Sequence, residues 1–142
     1  MGDGPEKENA ESLCQKLGIQ DKVIFFGNSN EIDKILSFSD LFLLPSETES
    51  FGLAALEAMA WSVPVISSNS GGLPEVNFDG VSGFLSPVGD IDAMAENALK
   101  ILKDDTTLNE FRKNALTIAE KFDIKNILPL YEAIYQKALN NL

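Results

Sequence analysis

The sequence predicts an α/β domain in which helices cover both faces of a parallel sheet. Four short apolar runs carry this reading: VIFFG (Val23 to Gly27), LFLLPS (Leu41 to Ser46), VPVISS (Val63 to Ser68) and GFLSPV (Gly83 to Val88). Each run is continuous rather than alternating, the pattern of a strand buried on both sides. Helix-length stretches separate them, as crossovers between parallel strands require. A chain of 142 residues is one domain by length and can bury roughly 70% of its unfolded surface, so a core without staples is within reach.

Each element has its own signal. GDGPE at the start reads as a loop that leaves a strand and enters a helix, or as a flexible leader. Pro5 suits a first helical turn, and Ala10, Leu13, Cys14 and Leu17 form one stripe before Gly18 stops the helix. Cys14 then reads as a small core residue. A second helix is expected over Ser29 to Phe38, with Ile32, Ile35 and Leu36 on one face, and a third over Phe51 to Ala60. Asp90 caps a helix reaching Leu102, and Thr107 with Glu110 forms a capping box for the next, which turns Leu108, Phe111, Ala115, Ile118 and Phe122 inward. A final helix runs from Asp123 to the end, with a kink expected at Pro129. No internal repeat and no low-complexity tract interrupts the pattern.

Composition removes several functions. No run approaches the roughly 18 apolar residues of a membrane span. Met1 is followed by GDGPEKENAE, which has neither the basic start nor the apolar centre of a signal peptide, so a cytoplasmic location is expected. One cysteine and no histidine leave no internal disulfide, no histidine-based triad and no zinc site. Acid or base chemistry would fall to carboxylates, lysine, tyrosine or the substrate itself, and no cofactor or metal is expected. With 22 acidic against 11 basic residues the net charge is −11, which repels nucleic acid and anionic membranes. An anionic ligand would need backbone N–H groups, or basic residues from outside this chain.

The stretch SETESFGLAALEAMA (Ser46 to Ala60) is where chemistry concentrates. The carboxyl end of a parallel strand faces the ligand crevice, and the next helix points its N-terminus there. That brings Ser46, Glu49, Ser50, Phe51 and Gly52 to the crevice. Free N–H groups of a first helical turn bind phosphate, and Gly52 allows close approach. Glu49 would stand at the mouth and Glu57 eight residues on, about two turns along the helix. Two carboxylates suit a polyhydroxyl ligand, and with a phosphate cradle between them they suit a sugar nucleotide. The alternative is a helix-start acid at Glu49 and a solvent-facing Glu57. SNSGGLPE (Ser68 to Glu75) follows the next strand at the same end. Gly71 and Gly72 there permit positive φ or a close ligand, or belong to a plain loop, and Leu73-Pro74-Glu75 starts a short helix. Asp90 and Asp92 form an Asp-x-Asp pair whose place at a helix start makes it a cap rather than a metal site.

DLFLLPSETESFGLAALEAMAWSVPVISSNSGGLPEV, then DGVSGFLSPVGD, closely resembles the nucleotide-binding carboxyl-terminal half of the retaining family 4 glycosyltransferases of GT-B fold; GDGPE and VIFFGN match the same pattern. The resemblance covers nearly the whole chain. It implies a Rossmann-like sheet, truncated at the amino terminus relative to a full GT-B carboxyl-terminal domain, over residues 1–142 as one nucleotide-sugar-binding domain. Glu49 matches the first glutamate of the E-x7-E motif, which contacts the donor sugar, and Glu57 the second, which holds the ribose. Ser50, Phe51, Gly52 and Leu53 match the segment that meets sugar and diphosphate, and Gly27 with Asn28 the vicinity of the base. The chain departs from the family at Trp61, where small residues are usual, and at Ser62, where glycine is usual.

The implied activity is transfer of a hexosyl unit from a uridine-linked donor, with the diphosphate as leaving group and no obligatory metal. Family members begin with strand, helix and strand before GDGP, carry an arginine and a lysine for the diphosphate, and possess an amino-terminal acceptor domain. From that comparison the 142 residues alone are expected to be inactive, and a sheet with unfilled strand positions is expected to pair with another chain, by oligomerisation or strand exchange, or to adopt an altered strand order. The alternative to a transferase part is a non-catalytic folding or assembly module with a vestigial nucleotide site.

Overall fold

A computed structural model describes residues 3–140. The chain divides into two compact units between Ile35 and Leu36. The first holds helix α1 (Lys7–Leu17) and one 3-10 turn (Gln20–Lys22). α1 stops where expected: Gly18 adopts φ 67°, its N–H bonds the Gln15 carbonyl at 3.1 Å, and the Ile19 N–H bonds that of Cys14 at 3.0 Å. The inward stripe, in contrast, is not buried. Leu13 is 54% exposed and Leu17 62%, and Cys14 is half-buried rather than a core residue. One helix, one turn and extended chain offer too little surface to close over a helix face.

The expected strand Val23 to Gly27 is also absent. Val23 is extended (φ −118°, ψ 128°), yet residues 23–27 join no ladder among the described residues. A strand exists by sharing hydrogen bonds with a neighbour, and composition does not supply the neighbour. The second expected helix shortens to α2 (Ile32–Ser37). Ser29 Oγ accepts the Glu31 N–H at 3.1 Å, a side-chain turn that competes with helix before Ile32. On α2 only Leu36 is buried.

The second unit is built on β1 (Phe42–Leu44), β2 (Val65–Ser68) and β3 (Gly83–Ser86), parallel and in the order β1-β2-β3. Phe42 lies opposite Val65, and Val65 opposite Gly83. Between and after the strands come α3 (Leu53–Ala60), α4 (Leu73–Val76), α5 (Ile91–Leu102), α6 (Asp105–Lys121) and α7 (Ile124–Leu139). Successive strand residues point to opposite faces. Phe42, Leu44 and Val65 meet Ala55 and Met59 of α3 and Ala115 and Ile118 of α6 in one core. Leu43 and Ile66 turn to the other face, where α5 packs on β2 and β3. Helices thus flank both faces, and β2 is buried along its whole length.

The helix ends show which cap wins. Asp90 caps α5 as expected, its Oδ1 accepting the Ala93 N–H at 2.9 Å. The following helix does not use Thr107 as its cap. Asp104 takes that place, accepting the Thr107 N–H at 2.8 Å and the Thr107 hydroxyl at 3.0 Å. A carboxylate accepts both bonds where a hydroxyl cap would accept one, and these bonds, the N–H first, hold the Asp104 carboxyl below its ordinary pKa. α7 continues through Pro129, which has no N–H to give the Lys125 carbonyl. At the end of α3, Ser62 has φ 59°, the one positive φ outside glycine among the described residues. Its N–H bonds the Met59 carbonyl at 2.9 Å and the Val63 N–H bonds that of Ala58 at 3.0 Å, a Schellman closure that favours glycine. Serine in this conformation costs about 1 kcal/mol.

Candidate functional site

The carboxyl ends of β1 and β2 carry the two loops singled out in the sequence. The first delivers the chain into α3 through Gly52, whose φ 101° and ψ 35° favour glycine. A side chain there would also meet Val76 Cγ2 at 2.9 Å and Leu73 Cδ2 at 3.1 Å. The Gly52 carbonyl accepts the N–H groups of Ala55 (3.0 Å) and Leu56 (3.1 Å), which closes the first turn. No side chain caps the helix, and the N–H groups of Leu53 and Ala54 have no backbone acceptor among the described residues. Two donors at the positive end of a helix dipole suit an anion, phosphate above all. In a chain of net charge −11 this is a local source of positive potential that owes nothing to side chains.

Around that helix start the named residues take distinct places. Glu49 is half-buried on the loop, and its Oε1 accepts the Ser50 N–H at 3.1 Å, while Ser50 is exposed. The Phe51 ring meets Phe122 edge-on, with centroids 6.2 Å apart and planes at 75°. Leu53 and Glu57, one turn apart on α3, are both exposed and line a cavity of about 450 Å³ with Phe122, Glu120 and Asp123. Glu49 does not line that cavity. Leu53 and Glu57 are therefore brought together, and Glu49 stands on the loop at the other side of Gly52. Gly27, with φ 62°, and Asn28 belong to the first unit. Phe122, Glu120 and Asp123 had no functional signal in the sequence, because their place depends on α6 packing against α3. No group of three or more metal-binding side chains suited to an ion occurs among the described residues.

The second loop corrects an expectation. Gly71 does have a positive φ, 53°, and Leu73 does open α4, but the close approach is not left for a ligand. A Cβ on Gly71 would fall 1.6 Å from the Glu49 carbonyl oxygen. One on Gly72 would fall 2.8 Å from Phe51 Cα and from the Ser50 carbonyl oxygen. The space that the paired glycines free is filled by the loop that carries Glu49.

A family model described as glycosyl transferases group 1 matches residues 1–117. N-acetyl-alpha-D-glucosaminyl L-malate synthase of Bacillus anthracis is 41% identical over 142 residues, which is 99% of this chain and 37% of that protein. Sulfoquinovosyl transferase of Arabidopsis thaliana is 33% identical over 128 residues, 87% of this chain and 24% of that protein. Among solved structures, Anabaena HepE in complex with UDP superposes with a TM-score of 0.82 at 28% identity, covering 99% of this chain and 40% of that one. Sucrose-phosphate synthase from Thermosynechococcus elongatus gives a TM-score of 0.84 at 28% identity, covering 99% of this chain and 38% of that one. The chain thus spans well under half the length of these relatives.

Proposed function

Because the chain belongs to the glycosyl transferases group 1 family, we propose that it is the donor-binding part of a retaining hexosyltransferase that uses a UDP-sugar. The start of α3 carries the reading: uncapped N–H groups at Leu53 and Ala54, with a carboxylate before and after them at Glu49 and Glu57. The diphosphate would lie against those N–H groups, which stabilise the charge that develops as it leaves. Glu57, exposed beside Leu53, would accept the ribose hydroxyls, and Glu49 those of the sugar. Ser50, Phe51 and Gly52 would complete the sugar and diphosphate contacts, and Gly27 with Asn28 are assigned to the base on the family motif alone. The 41% identity to the B. anthracis synthase favours N-acetylglucosamine as the sugar and L-malate as its acceptor; a cytoplasmic location belongs to the same proposal. The 142 residues alone are expected to bind the donor without transferring it.

Titration of the chain with UDP, followed by amide NMR, tests this reading. Shifts are expected from Gly52 to Glu57, and Glu57→Gln is expected to weaken UDP roughly ten-fold, the loss of a charge-assisted bond. An unchanged spectrum at millimolar UDP would sink the proposal and leave a folding module.

The same reading extends to a second copy of the chain. The outer edge of β1 has no partner strand among the described residues, and Leu43 on it is 56% exposed over an apolar cavity of about 280 Å³ lined by Pro45, Ile91, Met94, Ala95 and Ala98. Residues 23–27 are an unpaired apolar segment, with Ile24 74% and Phe26 51% exposed. An edge and a segment of this kind are matched for strand addition between copies. Light scattering after size exclusion is expected to show a dimer, and a monomer at every concentration would refute it.

A further inference from the structure

Beyond β1 and β2 the two site loops stay in contact, but no longer through a backbone ladder. The Ser68 hydroxyl donates to the Ser46 carbonyl, and the Ser70 hydroxyl to that of Glu47 at 2.8 Å. The Gly72 N–H then donates to the Glu49 carbonyl at 3.3 Å. Ser68, Ser70 and Gly72 thus bind the carbonyls of Ser46, Glu47 and Glu49, the first two through side-chain hydroxyls and the third through its backbone N–H. Contact this close needs the bare backbone of Gly71 and Gly72, since any Cβ there would enter Glu49 or Phe51. The three bonds end at the residue that carries the carboxylate, three residues before the left-handed Gly52.

Building on the donor-site reading above, we propose that Ser70, on the Gly71-Gly72 seat, is a positioning residue. It fixes where the Glu49 carboxylate stands relative to the start of α3, and so governs recognition of the sugar separately from the nucleotide. The physical ground is that Glu49 rides on a loop tied to the second loop by these bonds, whereas Leu53, Ala54 and Glu57 are set by α3 itself, whose Ala55, Ala58 and Met59 are fully buried. Loosening the latch frees Glu49 and leaves the helix in place. Ser70 touches no ligand in this assignment.

The experiment compares the wild-type chain with Ser70→Ala and Ser70→Thr, using UDP and UDP-N-acetylglucosamine as separate probes in calorimetry, and amide hydrogen exchange without ligand. Ser70→Ala is expected to keep its UDP affinity and lose roughly three- to ten-fold for the UDP-sugar, the worth of one neutral hydrogen bond. Ser70→Thr, which keeps the hydroxyl, is expected to restore the ratio. In exchange, the Gly72 amide of Ser70→Ala is expected to lose protection while the β1–β2 ladder keeps its own. An unchanged affinity ratio, or equal weakening of both ligands, overturns the sugar-positioning role. Unchanged protection at Gly72 overturns the latch. If the wild type binds neither probe, the donor-site reading falls and takes the sugar role with it, and the exchange result still decides the latch.

Discussion

Gly83→Ala is expected to abolish cooperative folding of the second unit. Gly83 lies opposite Val65 in the ladder, and a Cβ there would stand 1.7 Å from the Val65 carbonyl oxygen and 2.6 Å from its carbon. Neither atom is a side-chain end that can swing away. Val65 belongs to the central strand, tied on one side to Phe42 and on the other to Gly83, and is itself fully buried. The strands would have to part, which breaks the β2–β3 pairing and opens the face covered by α5. A loss above roughly 4 kcal/mol follows from damage of this class, against a total stability of about 5–15 kcal/mol. Urea unfolding followed by circular dichroism and by the single tryptophan, Trp61, measures it. An unfolding midpoint equal to that of the wild type would show that the sheet tolerates the contact.

Asn77→Ala is the second large effect. The Asn77 amide donates to the Val65 carbonyl at 3.1 Å, to Ser67 Oγ at 3.0 Å and to the Phe84 carbonyl at 3.3 Å, so it bridges β2 and β3 from the end of α4. Its Oδ1 accepts the Ser82 hydroxyl at 3.0 Å, and Ser82 Oγ accepts the Phe78 N–H at 2.9 Å. Asn77, Ser67 and Ser82 are all fully buried, so no water takes over the lost bonds. Alanine is expected to cost about 3–5 kcal/mol, since each orphaned buried group is worth roughly 1–3 kcal/mol and the losses overlap. Asn77→Asp separates polarity from packing. Its carboxyl would be buried among acceptors and kept protonated, so the variant should be most stable below the ordinary carboxylate pKa and lose stability as the pH rises. Equal stability of Asn77→Ala and wild type would remove the network from the account.

Both positions bear on the site, because β2 and β3 hold the loops from behind. They also mark where the sequence stops being informative. Gly83 looked like the first residue of an apolar run, and Asn77 carried no signal in the sequence. Nothing in their neighbours along the chain reveals that one faces a carbonyl and the other joins two strands. The same holds for the paired glycines. Their freedom was legible, and their occupant was not: a ligand and a second loop make the same demand on Gly71 and Gly72.

The sheet divides along the same line. LFLLPS, VPVISS and GFLSPV became strands because each finds a parallel neighbour in the chain, whereas VIFFG, no less apolar, found none among the described residues. Ala115 and Ile118 were placed inward correctly by helical period, because α6 has α3 and the sheet to pack against. Leu13 and Leu17 of α1 show the same period and stay exposed for want of such a surface.

By itself, the sequence determined the α/β class, the strand-to-helix turn at Gly52, the pair of carboxylates that flank it and the family to which they belong. These are local matters of period, turn chemistry and spacing, carried by residues close together in the chain. Tertiary structure alone decided that Glu57 shares a cavity with Phe122, that the loop carrying Glu49 is tied at Glu47 by the hydroxyl of Ser70, and that one apolar run in four lacks a partner among the described residues. Each depends on what the remaining chain brings alongside, and hydrogen bonds and packing count only when both partners are present.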